Sequence, residues 1–207
     1  MVSEYRSTLK LSPRCPKHQF DTMANQFDSV IINQNQEYLL LFANWIDKKK
    51  EKKESKYIRT IPYEFDLLYR VSRDGGTIKA FHNKCDNRGP TIVIIKIKGS
   101  EQIIGGYNPF EWDSSDKYKY TTDSFIFSFT DRRNTETAKM GYNNGNNSIG
   151  CCLNYGPIFG GNFYCQNDGT LWTINGACSN YYSNIDGLPT GSIRVDDYEV
   201  FQVIKKI

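Results

Sequence analysis

Residues 91–98 read TIVIIKIK, and residues 99–107 continue as GSEQIIGGY. The first of these runs is rich in β-branched residues and alternates only near its end, a pattern that predicts a central strand. Gly99-Ser100-Glu101-Gln102 turns the chain back into Ile103-Ile104-Gly105-Gly106-Tyr107, so the two runs form a hairpin. Two adjacent glycines inside a strand mark a bulge or the close approach of another backbone.

Working downstream, SFIFSFT over residues 124–130 alternates aromatics with small polar residues and predicts a half-buried strand. Residues 131–150 are rich in Asn and Gly and read as a long surface loop. Further strands are expected over residues 163–165, 170–174 and 198–204. Working upstream, Asn87-Arg88-Gly89-Pro90 stops a helix predicted over residues 77–85, since Gly suits a helix end and Pro cannot continue one. Ile78, Phe81, His82 and Cys85 fall at i, i+3, i+4 and i+7 and give that helix one narrow inward stripe. Before it come a turn with two glycines over residues 72–76 and a strand over residues 63–70.

Near the start, Leu39, Phe42 and Ile46 sit at helical spacing, as do Tyr38, Leu41 and Trp45, so a helix over residues 35–47 is apolar around a wide arc and should be mostly buried. Val30, Ile31 and Ile32 form a short apolar patch before it. Residues 1–28 are polar with Pro13 and Pro16 and show no period, so they read as a tail or linker remnant, leaving residues 29–207 as the folded unit. Helices come early and strands late, which favours a mainly β (α+β) architecture: a two-sheet antiparallel sandwich with two flanking helices.

Composition bounds the rest. Of 207 residues, 39% are hydrophobic and 14% aromatic, so extended disorder is excluded. A unit of about 180 residues buries roughly 70% of its unfolded surface and needs no disulfide or metal to hold it. The net charge of +3 lacks the one-sided basic excess of nucleic-acid binders. The lysine-rich run over residues 48–56 reads as a solvated loop rather than a targeting patch. No apolar stretch is long enough to span a membrane, and the first residues lack a signal-peptide core. A cytoplasmic or nuclear site is therefore expected, with the six cysteines as reduced thiols.

Several groupings bear on chemistry. His82 and Cys85 share a helix face, so an imidazole-activated thiolate is one reading and two packed core side chains is the other. Cys151-Cys152 in a Gly/Asn-rich loop would suit an oxidisable pair and reads more simply as ordinary loop and strand cysteines, whereas a zinc site would need paired Cys-x-x-Cys knuckles or a nearby Cys/His pair that the chain lacks. The glycines at 156, 160 and 161 imitate a phosphate cradle, but a strand follows them instead of a helix. Glu111, Asp113 and Asp116 around Trp112 imitate a glycosidase pair beside an aromatic platform, and read more simply as turn residues. No catalytic, cofactor-binding or metal-binding residue is assigned from these patterns.

Three blocks, taken in order, resemble the TLDc family. They are LLYRVSRDGGTIKAFHNKCDNRGPTIVIIKIK over residues 67–98; IIGGYNPFEW with DSFIFSF over residues 103–112 and 123–129; and YGPIFGG with DDYEVFQV over residues 155–161 and 196–203. The pattern is similar to versions in fungi and protists, where the domain often follows a BTB or kelch region. One departure is Gly161-Asn162-Phe163, where family members commonly show Gly-Asp-Leu. The resemblance implies a two-sheet sandwich acting as a non-catalytic interaction module in oxidation resistance and stress response. It also implies a protein partner, the vacuolar proton-pumping ATPase, which the module would regulate, and no cofactor. Two other functions stay open at this point: a thiol-based oxidant-reactive protein, and a BTB-associated adaptor fragment recruiting substrates to a ubiquitin ligase.

Overall fold

The computed structural model describes residues 27–33, 35–48, 61–161, 163–166, 168–175 and 181–207. Residues 1–26 of the expected tail, all but Lys48 of the lysine run, Cys15 and Cys178 lie outside the described residues. In chain order the elements are α1 (Gln36–Ile46), β1 (Tyr63–Arg70), α2 (Val71–Asp74), α3 (Ile78–Cys85), β2 (Thr91–Ile97), β3 (Ile103–Asn108) and β4 (Lys117–Lys119). Then follow β5 (Phe125–Phe129), β6 (Ala138–Tyr142), β7 (Ile149–Cys151), β8 (Ile158–Phe159), β9 (Phe163–Gln166), β10 (Leu171–Ile174) and β11 (Gly191–Lys205).

β11 belongs to two sheets. Its first residues, Gly191 to Arg194, pair with β10, and its remainder pairs with β2 on one side and β1 on the other. The change of sheet coincides with a register shift between Val195 and Asp197, where an extra residue bends the strand. One sheet therefore runs β1-β11-β2-β3-β5-β6 and the other β4-β7-β8-β9-β10-β11, all antiparallel. The sheets face each other across a core that joins Val93, Ile95, Ile104 and Ile126 of the first to Phe159, Phe163, Cys165 and Trp172 of the second. The expected sandwich is observed, with α3 closing one end of this core through Phe81 and Cys85.

A second core lies on the far face of the first sheet, beneath α1. Asn35 caps this helix by accepting from the Glu37 amide at 2.9 Å, which satisfies one of its free N-terminal donors. Trp45 sits over Phe125, Phe127 and Phe129 at 5.7, 5.9 and 6.0 Å between ring centroids. Double cover explains the sequence of β2, since Ile92 and Ile94 face α1 while Val93 and Ile95 face the second sheet. It also corrects the expectation for β5, which is buried along its whole length rather than on one face. Its serine tolerates burial because the Ser128 hydroxyl accepts from Gln102 Nε2 at 3.0 Å.

The glycine pair of β3 marks close approach, and β3 carries no register shift there. A Cβ on Gly105 would overlap the Val93 carbonyl oxygen and the Phe127 ring, and one on Gly106 would sit 2.7 Å from the Phe159 ring. The first of these tightens strand spacing and the second lets the two sheets meet. The turn at residues 72–76 contains the single-turn α2, after which Gly75 takes φ 87°. Thr77 then caps α3 through its hydroxyl, 3.1 Å from the Ala80 amide.

The expected loop over residues 131–150 is corrected: it holds a 3-10 turn (Thr135–Thr137), the edge strand β6 and the start of β7. β6 hid because an edge strand with Lys139 and Gly141 shows no sustained alternation. β4, β7 and β8 are two or three residues long, below the length at which a period can show.

Ahead of α1, Phe27 packs on Phe201 at 4.5 Å. The fully buried Glu199 accepts from the Ser29 hydroxyl, the Val30 amide and Arg70 Nε at 2.6, 2.9 and 2.8 Å. Burial raises the Glu199 pKa, while these donors favour its charged form and pull against the rise.

Candidate functional site

The exposed side of α3 forms one wall of an open groove of about 650 Å³. Ile78, Lys79, His82 and Asp86 line that wall; Ser114 and the turn at Leu153 and Asn154 form the other. His82 joins the walls. Its Nδ1 lies 2.9 and 3.1 Å from the two Asp86 carboxylate oxygens, and its Nε2 lies 2.9 Å from the Tyr155 carbonyl oxygen. Ser114 donates to Asp86 at 3.1 Å. The opposite turn is fixed at its ends, by the Leu153 amide on Asp116 at 3.2 Å and the Gly156 amide on the Cys165 carbonyl at 3.2 Å.

The activated-thiolate reading of His82 and Cys85 does not match this geometry. His82 points to the groove, whereas Cys85 is fully buried in the core beside Phe81 and Tyr69. Burial drives the Cys85 thiol well above its ordinary value, with Asp86 and Asp74 adding to the effect. Cys151 lies in β7 and not in an exposed loop, and burial pushes it up to about 11. Cys165 is buried and also raised by desolvation. Cys152, half-buried at the rim, is raised by the same cause and then by Asp116. Each of these thiols resists forming the thiolate that reacts with oxidants.

The other constellations resolve into structure. Gly156 leaves room for Cys165, whose Cβ would lie 2.9 Å from an added methyl, and the glycines at 160 and 161 accommodate Tyr181. The chain then enters β9, so the loop does not lead into a helix. Trp112 is no platform: it is buried, donates from Nε1 to Thr91 at 2.8 Å and meets Phe81 and Phe159 edge-on. Asp113 pairs with Lys119 at 2.7 Å. Desolvation opposes its ionisation, but Lys119 and the Ser115 amide overcome that and lower it to about 2. Among the described residues, no three His, Cys, Asp or Glu side chains are grouped to hold a metal ion.

A second feature lay outside the sequence reading. The register across the second sheet runs Tyr118, Gly150, Ile158, Tyr164, Thr173, Ser192. These residues occupy the face opposite the Phe159, Phe163 and Trp172 row; Gly150 and Ile158 are buried there, and Tyr118, Tyr164, Thr173 and Ser192 reach solvent. Tyr155 leans on Tyr164 at 5.7 Å, and Tyr118, Leu153 and Tyr155 are exposed beside the groove. Six strands contribute to this surface, so no local motif announces it. The signal that would have found it is the pairing of Tyr118 with Tyr164 through two intervening strands, which needs the register.

Fold and site together define a β-sandwich domain whose accessible features are a groove of mixed polar and apolar lining and a tyrosine-bearing sheet face. The family model of the TLDc domain matches residues 26–204. The chain belongs to the TLDc family. No curated protein matches it with significance. The resembling blocks fall on β1 through β2, on β3 and β5, and on β8 and β11. No helix among the described residues is long and apolar enough to cross a membrane.

Proposed function

We propose that the chain is a non-catalytic interaction module of oxidative-stress biology, binding and regulating the vacuolar proton-pumping ATPase from the cytoplasmic side. Family membership supplies the class of partner. The observation that carries the binding reading is the groove and its neighbouring tyrosine face, an accessible surface where His82 pairs with Asp86 and Asp113 with Lys119. His82, Asp86, Asp113 and Lys119 hold turns in place. Tyrosine suits such a surface, since it offers a broad apolar ring and a hydroxyl at small entropic cost. The raised thiols weigh against the oxidant-reactive alternative.

Capture of vacuolar ATPase subunits from a membrane extract tests this reading. The wild-type chain should retain pump subunits, and Leu153→Asp with Tyr155→Ala should lose most of that retention at unchanged circular dichroism. Recovery of no pump subunit by the wild type under gentle conditions counts against the partner. Equal recovery by both proteins counts against the surface.

A further inference from the structure

The two nitrogens of the His82 ring each face an oxygen that can only accept. On one side is the Asp86 carboxylate at 2.9 Å, on the other the Tyr155 carbonyl at 2.9 Å. A neutral imidazole has one donor nitrogen and one acceptor nitrogen. Whichever nitrogen gave up its proton would turn a lone pair onto an oxygen at hydrogen-bond distance. Only the imidazolium satisfies both contacts at once. The ring is largely shielded, with 10% of its side chain exposed, so water offers a poor substitute partner.

The contact spans the groove. Asp86 ends α3, while Tyr155 belongs to the turn that carries the exposed Leu153. That turn is anchored at Leu153 and Gly156 by bonds that do not involve a histidine, and His82 holds its middle. The charged groups around the ring are Asp86 and Lys79 from α3 and Asp116 behind the turn; Ser114 adds a neutral donor to Asp86.

We propose that His82 is a proton-operated latch: as imidazolium it ties the 152–156 turn to α3, and loss of its proton releases the turn and reshapes the groove. The latch is closed at acid pH and opens as pH rises. Histidine is the side chain suited to this, because its charge ordinarily changes between about pH 5 and 8. The latch stands on the geometry alone, whereas a pH-dependent grip on a partner rests on the interaction-module reading above.

The chain has two histidines, so His18→Gln leaves His82 as the single imidazole to observe. Nitrogen NMR of that protein, labelled at histidine and backbone, follows the ring and the amides of residues 153–156 from about pH 5 to about pH 8. At the acid end both ring nitrogens should carry protons, and the turn amides should titrate with the same midpoint as the ring. Asp86→Asn, which removes the carboxylate facing Nδ1, should shift both midpoints together. His82→Gln should abolish the amide titration. Turn amides that stay still while the ring titrates, or a midpoint unmoved by Asp86→Asn, overturn the latch. Failure to capture pump subunits at every pH, with the turn titrating as described, overturns the partner reading and leaves the latch intact.

Discussion

The two sheets share β11 yet are buried on different terms. In the first sheet β2, β3 and β5 lie between α1 and the second sheet, so neighbouring residues on either face are equally enclosed. In the second sheet the inner row of Phe159, Phe163, Cys165 and Trp172 is enclosed, while on the outer face Ile158 is buried but Tyr118 and Tyr164 reach solvent. The first sheet is therefore covered on both faces, and among the described residues the outer face of the second is left partly open. Apolar burial of a large side chain contributes roughly 1.5–3 kcal/mol, so a face left half-open is stabilising less than it would if covered. That is the arrangement a binding surface requires.

Three measurements would break or sharpen this contrast. The largest effect should come from Gly105→Val. Its Cβ would overlap the Val93 carbonyl and the Phe127 ring between two covered faces, where neither backbone nor ring has room to yield. The loss should exceed about 4 kcal/mol, beyond the usual range for a point change, and the variant should fail to fold. Soluble, cooperative melting near the wild-type temperature would mean the first sheet is less tightly enclosed than described.

A graded comparison follows. Phe127→Ala empties a site between Phe42, Trp45 and Phe129 and should cost about 3–5 kcal/mol. Tyr164→Ala, on the outer face of the second sheet, should cost about 1 kcal/mol or less. Denaturant unfolding of the two variants gives the ratio directly, and equal losses would erase the distinction between the sheets.

The smallest effect on the fold is read with a thiol reagent in a Cys15→Ser, Cys178→Ser background. Cys152 at the groove rim should react first. Cys85, Cys151 and Cys165 should lag by about a thousandfold or more, because their exposure needs local opening of several kcal/mol. A rapid reaction at any of these three would revive the oxidant-reactive alternative.

Much of the first sheet was legible in the chain. β1 and β2 show in runs long enough for period and β-branching to register, and α1 and α3 show in the spacing of Phe42, Trp45, Phe81 and Cys85. The second sheet was legible in part: β9 and β10 fall where strands were expected over residues 163–165 and 170–174, and three other strands did not show. β4, β7 and β8 are too short to carry a pattern, and Ile158-Phe159 reads as any apolar pair until β9 pairs with it. The candidate site was half legible. His82 and Cys85 stood out together, but the helix sends them in opposite directions, one to the groove and one to the core.

The sequence by itself determined a β-rich domain with two substantial helices, because strand and helix periods, glycine turns and caps are local properties of the chain; the resemblance to the TLDc family rested on ordered blocks of residues instead. Only the tertiary structure decided which apolar strands are covered on both faces, where β11 changes sheets, and which oxygens meet the His82 ring. The physical reason is that burial and hydrogen-bond partners are set by residues far apart in the chain. Asp86 is four residues from His82 and could be foreseen as a neighbour, whereas Tyr155 arrives only when the second sheet folds back against α3.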